Sequence, residues 1–219
     1  MRTLKRNARC RRAGFTLVES LIAAAMLGIV LSAVGLTVLS GKEHFRHGMT
    51  AAALEGRTAR LLDRIVAEVL WAGADTLPVQ PTAPLGASEI EFRVCNGVVG
   101  GAQVWSGRTR IRLVPEPTDP WNGLDDDGDG VIDEGQVVLT RDLGGPDEVD
   151  VVLGGGVRRL LEGEQANALD DDGNGLVDEA GLSFVVQDGA LTIRLSLEAR
   201  DGAGRTLIRT AQTAVNMRN

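Results

Sequence analysis

Histidine is scarce in this chain. Only His44 and His47 occur among 219 residues, and both sit beside one apolar run, far from the acidic stretches. No Ser/His/Asp grouping, Cys/His pair or glycine-rich phosphate cradle can be assembled from the remaining residues. Nucleophilic and phosphoryl-transfer chemistry therefore has no site, and no enzyme is expected. The two histidines lie three apart, which shares a helix face. With Lys42, Glu43 and Arg46 around them, they read as a solvated surface and not as metal ligands. Tyrosine is absent. Of the three tryptophans, Trp71 is expected in the core, and Trp105 and Trp121 in packing beside strands and loops. Positive charge is also short. Six of the 23 Lys and Arg fall in residues 1–14, which hold none of the 30 Asp and Glu. The rest of the chain has 17 basic against 30 acidic residues, a net charge of −13. A surface this acidic offers no basic patch for a phosphate backbone, so no direct nucleic-acid partner is expected.

The amino terminus, by contrast, concentrates its signals. Arg2, Lys5, Arg6, Arg9, Arg11 and Arg12 precede Gly14, and an apolar run follows from Phe15 to Ser40 with Glu19 as its only charge. As a helix that run reaches roughly 39 Å at ~1.5 Å per residue, enough for a hydrocarbon layer about 30 Å thick. The basic side stays cytoplasmic, which places the remainder across the membrane. An ordinary secretory signal has an apolar core of only ~7–15 residues followed by its cleavage site. A plain single-pass anchor leaves Glu19 unexplained, because a carboxylate in an apolar span is costly and marks function.

Gly14-Phe15-Thr16-Leu17-Val18-Glu19 resembles the class III signal of type IV prepilins and type II secretion pseudopilins. The resemblance implies cleavage between Gly14 and Phe15 by a prepilin peptidase, and N-methylation of Phe15. It also implies that Glu19 serves assembly by neutralising the Phe15 amine of a neighbouring pilin or pseudopilin in a helical filament. On this reading residues 1–14 are a cleaved basic leader and 15–40 a transmembrane and assembly helix in the bacterial inner membrane. Residues 41–77 continue that helix as an amphipathic segment, and 78–219 form a β-rich periplasmic domain. Cys10 leaves with the leader, so Cys95 stands alone, without a disulfide, and reads as a small apolar strand residue. Leu36 stands where many major pilins carry proline, which favours a minor subunit. The size, layout and carboxy-terminal stretch resemble the J-type minor pseudopilins of type II secretion and the related W-type minor pilins. Three readings remain open: a pseudopilus subunit assisting protein export, a type IV pilus minor pilin serving assembly, adhesion or DNA uptake, and a calcium-dependent membrane-anchored adhesin.

Beyond the membrane, Leu54, Leu61, Ile65 and Val69 recur at helical spacing, widened by Leu62, Val66 and Leu70. The helix is expected to run to about Thr76, with one face on a globular domain. Pro78, Pro81 and Pro84 form an extended linker. The period then becomes two: Ile90, Phe92 and Val94; Ile111 and Leu113; Leu191, Ile193, Leu195 and Leu197. Val137–Leu139, Val149–Leu153 and Ser183–Val186 read as further strands, and Gly97, Gly100 and Gly101 as a turn. The fold expected is α+β, a long helix packed on an antiparallel sheet.

An acidic segment occurs twice. Residues 122–134, NGLDDDGDGVIDE, return 45 positions later as 167–179, NALDDDGNGLVDE. Both fit the first half of a D-x-[DN]-x-[DN]-G calcium loop. Calcium takes six to eight oxygens at about 2.3–2.6 Å, and alternate side chains can converge where glycine permits a sharp turn. The expected ligands are Asp125, Asp127, Asp129 and the Val131 carbonyl in the first copy. In the second they are Asp170, Asp172, Asn174 and the Leu176 carbonyl. The glutamate that closes a true EF-hand is missing, so closure falls to Asp133 or Glu134 and to Asp178 or Glu179. Asn122 and Asn167 are further candidates for an oxygen. Ile132 and Val177 are expected to anchor the loops in the core. Without a cation, so many carboxylates would repel one another; the bland alternative is a pair of acidic surface turns.

Overall fold

A computed structural model describes residues 16–73, 76, 87–187 and 190–216. The leader 1–14, Phe15 and the proline linker lie outside the described residues. The chain divides into two compact units, one ending at Phe45 and one beginning at Arg46.

Helix α1 spans Leu17–Val69. In the first unit its apolar side chains are exposed all round, and the segment is long and apolar enough to cross a membrane. Two of the hydroxyls in that stretch are satisfied within the helix. The Ser32 hydroxyl donates to the Gly28 carbonyl at 2.8 Å and the Thr37 hydroxyl to Ala33 at 2.9 Å. That is the condition for placing them in hydrocarbon.

In the second unit α1 buries one stripe: Leu54, Thr58, Leu61, Leu62, Ile65 and Val69. The stripe matches the expected spacing. Thr58 joins it because its hydroxyl is spent on the Leu54 carbonyl at 2.9 Å. Leu70 is 42% exposed and Trp71 is 61% exposed, so neither is core. The reason is that the helix stops at Val69 and not near Thr76. Ala72 bridges Val94, and the Gly73 N–H donates to Arg93 at 3.1 Å, so strand pairing takes over the backbone. Gly73 is required there: a Cβ would sit 2.4 Å from the Trp105 ring.

Nine strands follow among the described residues: β1 Glu89–Phe92, β2 Cys95–Val99, β3 Ala102–Trp105, β4 Thr109–Pro115, β5 Gly135–Arg141, β6 Val149–Val157, β7 Leu182–Gln187, β8 Ala190–Arg200 and β9 Thr206–Asn216. Seven form one antiparallel sheet in the order β1-β4-β5-β6-β8-β7, with β9 on the other edge of β8. A bridge from Ala87 to Phe184 brings the two ends of that order together. The expected alternation holds. Ile90, Phe92, Ile111 and Leu113 are buried, as are Leu191, Ile193, Leu195 and Leu197 along β8. With the buried stripe of α1 they form one core, which makes the fold α+β. The β2–β3 hairpin turns at Gly100–Gly101 and forms a separate small sheet whose strands are largely exposed. Cys95 lies in β2 but is exposed, contrary to the apolar role expected of it.

His47 also departs from expectation. It is not merely solvated: its Nδ1 lies 2.9 Å from Asp201, a buried carboxylate at the β8–β9 turn.

Candidate cation-binding loops and the amino-terminal motif

The acidic segments are sheet connections. Loop 1 (122–134) joins β4 to β5 and loop 2 (167–179) joins β6 to β7. The register places Pro115 beside Gly135, Gly135 beside Val157 and Val157 beside Leu197. Both loops therefore leave from one end of the sheet. A cleft of about 190 Å³ lies beside loop 1, lined by Val131, Asp133, Arg159 and Glu164 among others.

The repeat in sequence is a repeat in backbone. Left-handed φ values occur at Gly123, Gly128, Gly130 and Asp133 (85°, 77°, 93° and 57°), and again at Ala168, Gly173, Gly175 and Asp178 (61°, 76°, 89° and 49°). The side chains repeat as well. Asp125 accepts from the N–H groups of Gly128 and Gly130, and Asp170 from those of Gly173 and Gly175. Asp133 accepts from Asn122 and Gly123, and Asp178 from Asn167 and Ala168, which closes each loop at its neck. The oxygens of Asn122 and Asn167 accept from Leu124 and Leu169 and are spent inside the turn. The anchors are shifted by one residue from the expectation. Val131 and Leu176 are buried, while Ile132 is 54% exposed and Val177 half-buried. The sharp turn at Gly130 and Gly175 sets which side chain points inward.

Carboxylate oxygens of Asp125, Asp127 and Asp129 come within 4.8 Å of one another, all on exposed residues. In loop 2 the group that converges to that distance is Glu164, Asp172 and Glu179. Only oxygen donors are present, which suits a hard cation such as calcium and not a thiolate- or imidazole-seeking metal.

Sequence reading missed Asp119 and Glu164. Asp119 is fully buried. It accepts from the N–H of Asp126 at 2.9 Å and of Glu134 at 3.1 Å, tying the loop's start to its end. The Asp126 N–H is the main reason its carboxyl sits below the ordinary range. Glu164, 45 positions on and also buried, accepts from Asp172 and Asp178 in the same manner. The extra methylene of glutamate moves each bond by one residue. Extending the repeat three residues upstream reveals this pair of acids.

The inner glutamates differ. Glu179 is 1% exposed, receives Arg194 at 2.8 Å and the Asn174 amide at 2.7 Å, and is fully compensated. Glu134 is 3% exposed, and its Oε2 has no hydrogen-bond partner among the described residues. Burial, reinforced by Asp119 and Asp129, pushes its carboxyl up to about 8.

At the amino terminus, the Thr16 hydroxyl accepts from the Glu19 N–H at 3.2 Å. The Glu19 carboxylate in turn accepts from the Thr16 N–H and hydroxyl, both at 2.9 Å. This is a capping box, legible as T-x-x-E, and it gives Glu19 a partner within its own chain. Residues 9–35 match the prokaryotic N-terminal methylation motif. The amino terminus is thus type IV pilin-like, and such a motif implies processing by a prepilin peptidase and assembly with other pilins. The helix fits single-pass anchoring, and proteins carrying this motif are structural and not enzymatic. No curated protein and no solved structure matches the chain at a significant level.

Proposed function

We propose that this chain is a minor pseudopilin of the J type, a tip or initiation subunit of a type II secretion pseudopilus that assists export of folded proteins. The observation carrying the reading is the methylation motif at 9–35 running into an exposed apolar helix ahead of an α+β domain. Prepilin peptidase cuts between Gly14 and Phe15, Phe15 is methylated, and the domain stands on the periplasmic side of the inner membrane. The helix moves from bilayer to filament, where a buried charge is tolerable only when paired; Glu19 then exchanges its own cap for the amine of a neighbour. Calcium bound at the acidic loops is structural, lending folding energy to glycine-rich connections that contribute little core.

Mass spectrometry of the chain recovered from membranes should give a methylated Phe15 amino terminus; an uncut or unmethylated chain overturns the reading. Deletion should abolish exoprotein release and leave piliation intact, and the reverse pattern would make it a pilus minor pilin. The capping box sharpens the assignment of Glu19. Glu19→Gln keeps an acceptor for the Thr16 N–H but removes the charge, whereas Thr16→Ala removes the cap and keeps the charge. Filament incorporation should fail in Glu19→Gln and survive in Thr16→Ala; the opposite order would reduce Glu19 to a helix cap.

A further inference from the structure

Away from the acidic segments, α1 and β6 enclose a basic groove of about 170 Å³. Arg57, Arg60 and Arg64 line it from α1, at the three- and four-residue spacing that shares a helix face. Leu61, Leu153 and Leu197 give it an apolar floor. β6 contributes Gly154 and Gly155, and glycine inside a strand marks a place where something approaches the backbone closely. Here the arginines approach it. The Arg64 guanidinium donates to the Leu153 carbonyl at 2.7 Å, and that of Arg57 to the Gly155 carbonyl at 3.3 Å. The strand is free to accept them, because β6 pairs with β8 only at Val157–Leu197. What the arginines lack is a carboxylate. None of the three forms an ion pair among the described residues. Arg60 makes no hydrogen bond either. The neighbouring acids are engaged: Glu116 accepts from the Gly156 N–H at 2.7 Å, Glu198 pairs with Arg158 at 2.7 Å, and Glu68 with Arg141 at 2.8 Å. Like charges three and four apart destabilise a helix unless a counter-charge meets them.

We propose that this groove docks an acidic segment of a neighbouring protein subunit, whose carboxylates pair with Arg57, Arg60 and Arg64 while its methylenes rest on Leu61 and Leu153. A guanidinium fork matches a carboxylate at two points. Charge and shape select the class of partner. A chain carrying −13 beyond its first 14 residues repels a nucleic-acid backbone. The leucine floor beside the guanidiniums suits the methylene stem of a glutamate, which a bare phosphate lacks. A second copy of this chain fits less well. Its densest acidic patch is Asp125, Asp127 and Asp129, and these already accept from N–H groups of their own loop. The inference goes beyond the pseudopilus reading and does not depend on it.

The test is fluorescence anisotropy of a labelled oligoglutamate peptide titrated with the full chain in detergent at low salt. Chelator is present, so that calcium cannot bridge peptide and loops. Saturable binding is expected, weakened at least tenfold in Arg60→Glu. Arg60 bonds to nothing in its own chain, so that variant should melt with the parent, and Arg60→Gln should move binding in the same direction without adding a charge. Arg209→Glu reverses an exposed charge on β9 and should bind as the parent does. No binding, or equal weakening by the two reversals, overturns the proposal. Displacement by inorganic phosphate as readily as by unlabelled peptide, at matched ionic strength, overturns the carboxylate partner in favour of a phosphate-bearing one. Self-association of the chain alone in sedimentation, lost in Arg60→Glu, overturns it in favour of a second copy. Any of these failures leaves the methylated Phe15 terminus, and with it the filament reading, untouched.

Discussion

Loop 2 meets its inner glutamate with an arginine and an amide, and loop 1 meets its own with two further acids. The comparison is unusually controlled, since the backbone turns, the necks and the buried anchors repeat at a fixed offset. A loop with an internal guanidinium can fold without help. In loop 1 the inner acid is buried beside two further acids, and burial pushes its carboxyl up to about 8. Two copies of one sequence pattern thus differ in how the inner acid is met, and the residues that separate them lie partly outside the pattern, at Arg194 on β8.

The largest expected effect comes from breaking that difference. Arg194→Leu strips Glu179 of its charge partner and leaves it buried, which should cost about 3–5 kcal/mol. Urea melts in chelator would measure the loss. A variant as stable as the parent in chelator would mean that Arg194 is not what quiets Glu179.

Much of this was open to sequence reading. The period-two runs at Ile90, Ile111 and Leu191 gave the sheet because one face of each strand is buried and the other is not. The stripe from Leu54 to Val69 gave the packed half of α1. The helix end was hidden because Ala72 and Gly73 are recruited by Val94 and Arg93, partners visible only in three dimensions. β9 was also hidden. Its stretch Thr206–Asn216 mixes small and polar residues, and it forms because the long β8 offers it a full-length edge. The loop pattern named the converging aspartates but not Asp119, Glu164 or Arg194. Those are set by packing around the loop, and motif spacing does not record it.

A third buried carboxylate serves as the control for both loops. Asp201 accepts from the N–H groups of Arg205 and Ala203, from the Arg205 guanidinium and from His47, and these bonds hold its carboxyl far below the ordinary range, the Arg205 N–H foremost. A depressed carboxylate stabilises the fold at every pH above its unfolded value of about 3.9, and that contribution is lost as pH falls below it. Acid unfolding should therefore begin below about pH 4 even when calcium saturates the protein. His47→Ala should lower the neutral-pH melting temperature modestly in chelator and in calcium alike. A drop seen only in chelator would tie Asp201 to the loops, and the control would fail.

The smallest effect concerns the one place where loop 2 is the poorer copy. Ala168 sits at φ 61° where loop 1 carries Gly123 at 85°. A left-handed alanine costs about 1–2 kcal/mol, whereas glycine gives back roughly 0.5–1 kcal/mol in unfolded-state entropy. Ala168→Gly should therefore stabilise the protein by several tenths to about 1 kcal/mol, and Gly123→Ala should destabilise it by a similar amount. Thermal melts in calcium would read both. Opposite signs would establish that the two necks carry the same backbone strain and that the loops differ in charge alone. Equal signs would mean that loop 2 has relaxed around its alanine, and the electrostatic comparison would then have to be made between backbones that are no longer the same.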